Sequence, residues 1–202
     1  MNKYNNTLLH YAAQNGRTSV VKLLLRKGAS IEAMNIRNNT PLHYAAESDH
    51  SGVVELLLRE GASIEAMDLG NNTPLHFAAL SNHSSVVELL LREGASVEAI
   101  NQYHQTPLHV AVWKGQKITT ELLLKKGAST KAMNYHNSTP LHFAARYRHT
   151  NVVGLLLQNG APIEAMDLDN NTPLRLAAMH GHTDIVELLE NNLPNLLSME
   201  QR

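Results

Sequence analysis

Apolar positions along the chain fall into two short alternating patterns. In one, Leu42, Ala45 and Ala46 sit at i, i+3 and i+4; in the other, Val54, Leu57 and Leu58 repeat the same spacing a few residues on, with Val53 one turn before Leu57. Both are the spacing of one face of a helix, so each pattern predicts a short helix with a single buried stripe. Gly61 follows the second pattern at the place where a glycine in the left-handed region satisfies the last carbonyls, and Gly28, Gly94, Gly127 and Gly160 recur in register with it. The whole motif is periodic. Thr7, Thr40, Thr73, Thr106, Thr139 and Thr172 follow one another at intervals of 33 residues.

Each threonine opens the first helix of a unit. Thr40 has the chemistry of an N-cap, and Pro41 occupies the first helical position, where a missing N–H costs nothing. The small Ala45 and Ala46 allow close approach of neighbouring elements. Helices this short are marginal alone, so every unit must bury its apolar stripe against the next, and stacking supplies the core.

Four units read Thr-Pro-Leu-His in full, at Thr40, Thr73, Thr106 and Thr139; the chain opens with Thr7-Leu-Leu-His and closes with Thr172-Pro-Leu-Arg. With the Ala-Ala pair, the Val-Val-Glu-Leu-Leu-Leu helix and the following Gly-Ala, these motifs resemble the ankyrin repeat family. The resemblance covers roughly Asn2 to Asn192. It implies an all-α repeat solenoid of stacked helix-turn-helix units with β-hairpin fingers between them. Six repeats are expected over residues 2–192, starting near 2, 35, 68, 101, 134 and 167, with a C-terminal tail at 193–202.

Departures from the family pattern carry information. Where the family favours glycine two positions before the threonine, this chain has Asn5, Asn38, Asn71, His104, Asn137 and Asn170, and Asn tolerates positive φ better than most residues. Between the two helices the family glycine is kept as Gly16, Gly115 and Gly181 and replaced by Asp49, Asn82 and Arg148. Arg148 is the odd choice for a left-handed position. In the last unit Glu190 stands where other units have a third Leu, giving a polar outer surface, and Leu193, Leu196 and Leu197 are placed to fold back over it. The first unit shows no such cap, which leaves open a longer parent chain.

Composition narrows the class further. The 202 residues include no Cys, so neither disulfides nor thiolate metal sites hold the fold, and a reducing, cytoplasmic setting is expected. No apolar run is long enough for a signal peptide core or a membrane span. Charge comes in blocks. Residues 1–37 carry six basic residues against one acidic, 38–113 two against nine, 114–148 seven against one, and 149–202 two against seven. A nucleic-acid binder needs a sustained basic face, so alternating blocks favour protein partners with matching patches, and the chain is expected to act as a monomer without nucleic acid or membrane.

Twelve His residues raise the question of metal. His10, His43, His76, His109 and His142 form a column at the repeat period, which the resemblance assigns to hydrogen bonds within and between units; a column lacks the clustering a tetrahedral site requires. No paired carboxylates, phosphate loop or nucleophile motif stands clear of the repeat, so no enzyme activity, cofactor or metal is expected. Met34, Met67, Ile100, Met133 and Met166 form a second column on the fingers, read as packing between fingers with an adaptable binding strip as the alternative. Glu32, Glu65, Glu98 and Glu164 form a third row, interrupted by Lys131 and read as local charge compensation.

The resemblance also places the fingertips and the ends of the first helices on a concave face. Tyr103, Trp113, Lys114, Tyr135, Arg146 and Tyr147 gather there in units four and five, and Tyr, Trp and Arg are the types that dominate binding hot spots. The expected function is a non-catalytic interaction module holding an acidic, partly apolar protein patch. The alternatives are a structural spacer or tether array and an exported microbial effector acting on host proteins.

Overall fold

Thr-Pro and Gly punctuation converts the 33-residue period into pairs of antiparallel helices. The computed structural model describes residues 3–193, and those residues form twelve helices. The first helices of the units are α1 (Leu8–Gln14), α3 (Pro41–Glu47), α5 (Pro74–Leu80), α7 (Pro107–Trp113), α9 (Pro140–Arg146) and α11 (Pro173–Met179). Their partners are α2 (Thr18–Arg26), α4 (Ser51–Arg59), α6 (Ser84–Arg92), α8 (Lys117–Lys125), α10 (Thr150–Gln158) and α12 (Thr183–Glu190). Each helix packs on its partner and on the same helix of the next unit, so the interior is one continuous column. Its largest fully buried side chains recur at the period: Leu9, Leu42, Leu75, Leu108 and Leu141 in one file, Leu57, Leu90, Leu123 and Leu156 in another. Leu196 and Leu197 lie outside the described residues.

The backbone meets the expectations for the turns. Asn5, Asn38, Asn71, His104, Asn137 and Asn170 all have φ between 54° and 59°, and Asp49, Asn82 and Arg148 lie at 58°, 62° and 59°. Arg148 is held there by Asp184 of unit six, whose Oδ1 lies 3.4 Å from the guanidinium while its Oδ2 accepts the Thr150 hydroxyl at 2.6 Å. The Thr150 hydrogen bond first, and then Arg148, keep the Asp184 carboxyl below the ordinary aspartate range.

The expected β-hairpin fingers are tight turns instead, with no strand among the described residues. Each finger is closed by two backbone bonds, as from Asn101 N–H to the Gln105 carbonyl and from His104 N–H to the Asn101 carbonyl, and tied to the previous finger by one more, as from Gln102 N–H to the Gly70 carbonyl. The remaining donors go to a side chain: Oδ1 of Asn35, Asp68, Asn101, Asn134 or Asp167 accepts the N–H groups two and four residues on. An acceptor of this kind replaces a strand partner.

Three files of polar contacts join the units. The column histidines donate from Nε2 to a carbonyl 29 residues ahead: Asn39, Asn72, Gln105, Ser138 and Asn171, at 2.9–3.1 Å. A second histidine file runs the other way, with His50, His83, His149 and His182 donating to the Gln14, Glu47, Trp113 and Ala145 carbonyls. The third is the glutamate row, which does not work by charge compensation. Glu32, Glu65 and Glu98 each accept the backbone N–H of Ser63, Ser96 or Ser129 in the next unit at 2.7 Å. Lys131 breaks the row where the facing residue is Pro162, which has no N–H to offer. Acceptor and donor are lost together, so nothing is left unsatisfied there.

Unit four is also the most polar inside. Thr119 and Thr120 replace the Val-Val pair and are fully buried; Thr119 donates to Asn82 Oδ1 at 3.1 Å, but the Thr120 hydroxyl has no partner. A buried hydroxyl without a bond costs about 1–3 kcal/mol. Thr120→Val is therefore expected to stabilise the fold by about that much, read as a higher urea midpoint at unchanged slope; an unmoved midpoint would show the hydroxyl to be satisfied.

Candidate functional site

Trp113 ends α7 and Arg146 ends α9, so both project from the same edge of the stack, two helices of one file apart by a single unit. Tyr147 caps α9, and Tyr103 and Tyr135 stand at the tips of fingers four and five, which are joined by the bond from Tyr135 N–H to the Tyr103 carbonyl at 3.2 Å. These five residues line a single concavity of about 560 Å³. Phe143, Leu176, His142, Asp167 and Asp169 are among the other residues that line it, so it spans units four to six. Lys114 does not line it. Its ammonium lies 4.3 Å from the Trp113 ring centroid, a cation–π contact that covers part of the indole.

The aromatic rings are supported, not free-standing. Tyr135 stacks on His104 with centroids 4.1 Å apart, and Tyr147 lies between Phe143 and His149, each 6.4 Å away. Arg146 sits 6.0 Å from the Tyr147 ring. Trp113 is 39 % exposed, so part of the indole is open to solvent. Pre-set rings of this kind lose little conformational freedom on contact.

Sequence reasoning missed Phe143, Asp167 and Leu176. Leu176 occupies the place of the aromatics Tyr44, Phe77 and Phe143, a change visible in the alignment of the units. The charge also differs from the expected basic patch. Arg146 shares the groove with Asp167, which spends one oxygen on the N–H groups of Asp169 and Asn171, and with the exposed Asp169. Lys117 and Arg148 line a separate cleft of about 260 Å³ beside Gly115 and His149.

The finger column behaves differently from its first reading. Met34, Met67, Ile100, Met133 and Met166 are each about half exposed, so packing between fingers buries only part of them.

The histidine column offers no metal lone pair. A backbone N–H can only donate and a carbonyl only accept, so Nδ1 of His109, facing Thr106 N–H at 3.2 Å, must be the acceptor and Nε2, facing the Ser138 carbonyl, must carry the proton. Burial holds the column below the ordinary histidine range, to about 4 at His76 and His109 and in the same direction at His10, His43 and His142; the carbonyl contacts pull the other way and lose. No group of three His, Asp or Glu side chains suited to a metal ion occurs among the described residues.

Six helix pairs stacked in one file, with Tyr103, Trp113, Tyr135, Arg146 and Tyr147 brought together on one concavity, define a repeat scaffold. The family model for ankyrin repeats (3 copies) matches residues 1–68, 64–134 and 120–196, and the chain belongs to the ankyrin repeat family. No curated protein matches it. Ankyrin repeats are in general protein–protein interaction modules and typically non-catalytic. No helix among the described residues is long and apolar enough to cross a membrane.

Proposed function

We propose that this chain is a non-catalytic adaptor that holds a protein partner in the aromatic groove of units four to six. The observation that carries this reading is the convergence of Tyr103, Trp113, Tyr135, Arg146 and Tyr147 on one concavity. The partner segment places an apolar or aromatic side chain on the rings and an acidic group toward Arg146 and Lys114, while Asp169 favours a polar or basic neighbour at the unit-six end. Lys114 contributes by lying on the Trp113 ring and by its charge, outside the cavity itself. The absence of Cys supports a cytoplasmic setting.

The test is a lysate pull-down with the wild-type chain and a Trp113→Ala/Tyr147→Ala variant of equal melting temperature. Loss of at least ~10-fold in captured partner is expected, the scale of a truncated hot spot. Equal capture by both chains would shift the site to the half-exposed methionine column, and capture by neither would favour the spacer-array reading.

A further inference from the structure

The groove of units four to six lies in a basic block of the sequence, yet its own lining carries more negative charge than positive. It holds five Tyr, Trp and Phe rings, one guanidinium (Arg146) and two carboxylates (Asp167 and Asp169). Asp167 is spent on its own finger: one oxygen accepts the N–H groups of Asp169 and Asn171, and the other meets the Asn171 amide at 3.5 Å. Asp169 is exposed, and no ion pair or hydrogen bond engages its carboxylate among the described residues. The equivalent positions of the other fingers are Tyr4, Arg37, Gly70, Tyr103 and His136, so an acid at this tip is particular to the finger at the unit-six end of the groove.

The rings of this region already receive cations. Lys114 lies 4.3 Å from the Trp113 centroid and Arg146 lies 6.0 Å from that of Tyr147. Tyr103 and Tyr135 are each 58 % exposed, and no cation of the chain lies over either among the described residues. The bond from Leu168 N–H to the His136 carbonyl sets Asp169 on the fingertip next to Tyr135. An apolar side chain brought into that corner would strip water from the Asp169 carboxylate and give it no partner. An ammonium would pair with it, but as a compact and strongly hydrated point charge. A guanidinium is planar and more weakly hydrated, lies flat on a ring, and presents a fork of N–H donors that matches a carboxylate.

Granted the groove as the partner site, the reading on which this rests, we propose that the partner's anchor at the unit-six end is an arginine side chain, stacked on the fingertip rings and held by the Asp169 carboxylate. Asp169 then sets specificity for arginine over lysine. Arg146 repels a second basic side chain at the unit-five end, so the groove takes a single arginine and disfavours a polybasic segment. Because Asp169 is exposed, binding weakens as ionic strength rises.

A random-peptide phage library panned on the full chain, with the Trp113→Ala/Tyr147→Ala variant as counter-selection, supplies the probe. Enriched peptides are expected to share one arginine beside an apolar or aromatic residue. For the tightest of them, synthesised and titrated against the chain, replacing that arginine by lysine lowers affinity by at least ~10-fold, and so does Asp169→Asn in a chain of unchanged melting temperature. In the Asp169→Asn chain the arginine and lysine peptides bind alike, a coupling that a merely structural role for Asp169 would not produce. Enriched peptides without a shared arginine, or an arginine preference that survives Asp169→Asn, overturn the arginine anchor and leave the groove standing. No enrichment over the counter-selecting variant overturns the groove itself, and the anchor with it.

Discussion

Lowering the pH from 7 to 4 is expected to remove about 6 kcal/mol of folding stability through two histidines alone. His76 and His109 are buried and neutral, with pKa values pushed down to about 4. The unfolded chain takes up those protons near pH 6.5, the folded chain only near 4. Between these values the unfolded state binds more protons, so stability falls as pH falls, by about 1.4 kcal/mol per pH unit for each histidine. The loss begins below about 6.5 and levels off near 4, at roughly 3 kcal/mol per residue. Protonating Nδ1 would also set it donor to donor against Thr73 or Thr106 N–H. His10, His43 and His142 add to the slope in the same direction. Asp184 acts in a lower window, its contribution being lost as pH falls through and below the ordinary aspartate range. Urea unfolding at a series of pH values reads the slope, and His109→Gln should flatten it because an amide does not titrate there. A stability that stays level from pH 7 to 5 would show that the buried histidines take up protons over the same range as in the unfolded chain.

That column illustrates what the residues themselves disclose. The 33-residue period, the threonine caps, the left-handed Asn turns and the Ala-Ala contact surface were all legible, because each is a local steric or hydrogen-bond requirement written in residue type. The bonds between units were not. Glu32 reads as a surface charge until Ser63 N–H is seen to point at it, and the joint meaning of Lys131 and Pro162 emerges only when residues 31 apart are known to face each other. Hairpin fingers were implied by the family resemblance alone, and the carboxylate or amide at Asp68 and Asn101 takes up donors a second strand would have used. In the groove, residue position along the repeat was enough to gather Tyr103, Trp113, Tyr135, Arg146 and Tyr147. It was not enough to place Lys114, whose side chain chose the Trp113 ring over the cavity, a matter of rotamer that no period records.

A second large effect should come from a single methyl group behind that groove. Gly115 has φ +68°, and a Cβ built there would lie 2.6 Å from Nδ1 and 2.7 Å from Cε1 of His149. The ring it would strike donates from Nε2 to the Trp113 carbonyl at 3.1 Å, tying the end of α7 to the start of α10. Gly115→Ala therefore combines left-handed strain, about 1 kcal/mol, with loss of that hydrogen bond and displacement of a packed ring, about 1–3 kcal/mol more. The expected destabilisation is about 2–4 kcal/mol by urea unfolding, together with a changed emission of Trp113, the only Trp in the chain. Gly127→Ala separates the two causes: φ is +92° there, but nothing lies within 4 Å of the new methyl, so strain acts alone. If both variants lose the same stability and Trp113 emission is unmoved, His149 does not position the groove; if Gly115→Ala costs clearly more and shifts the emission, the second histidine file is what holds the indole in place.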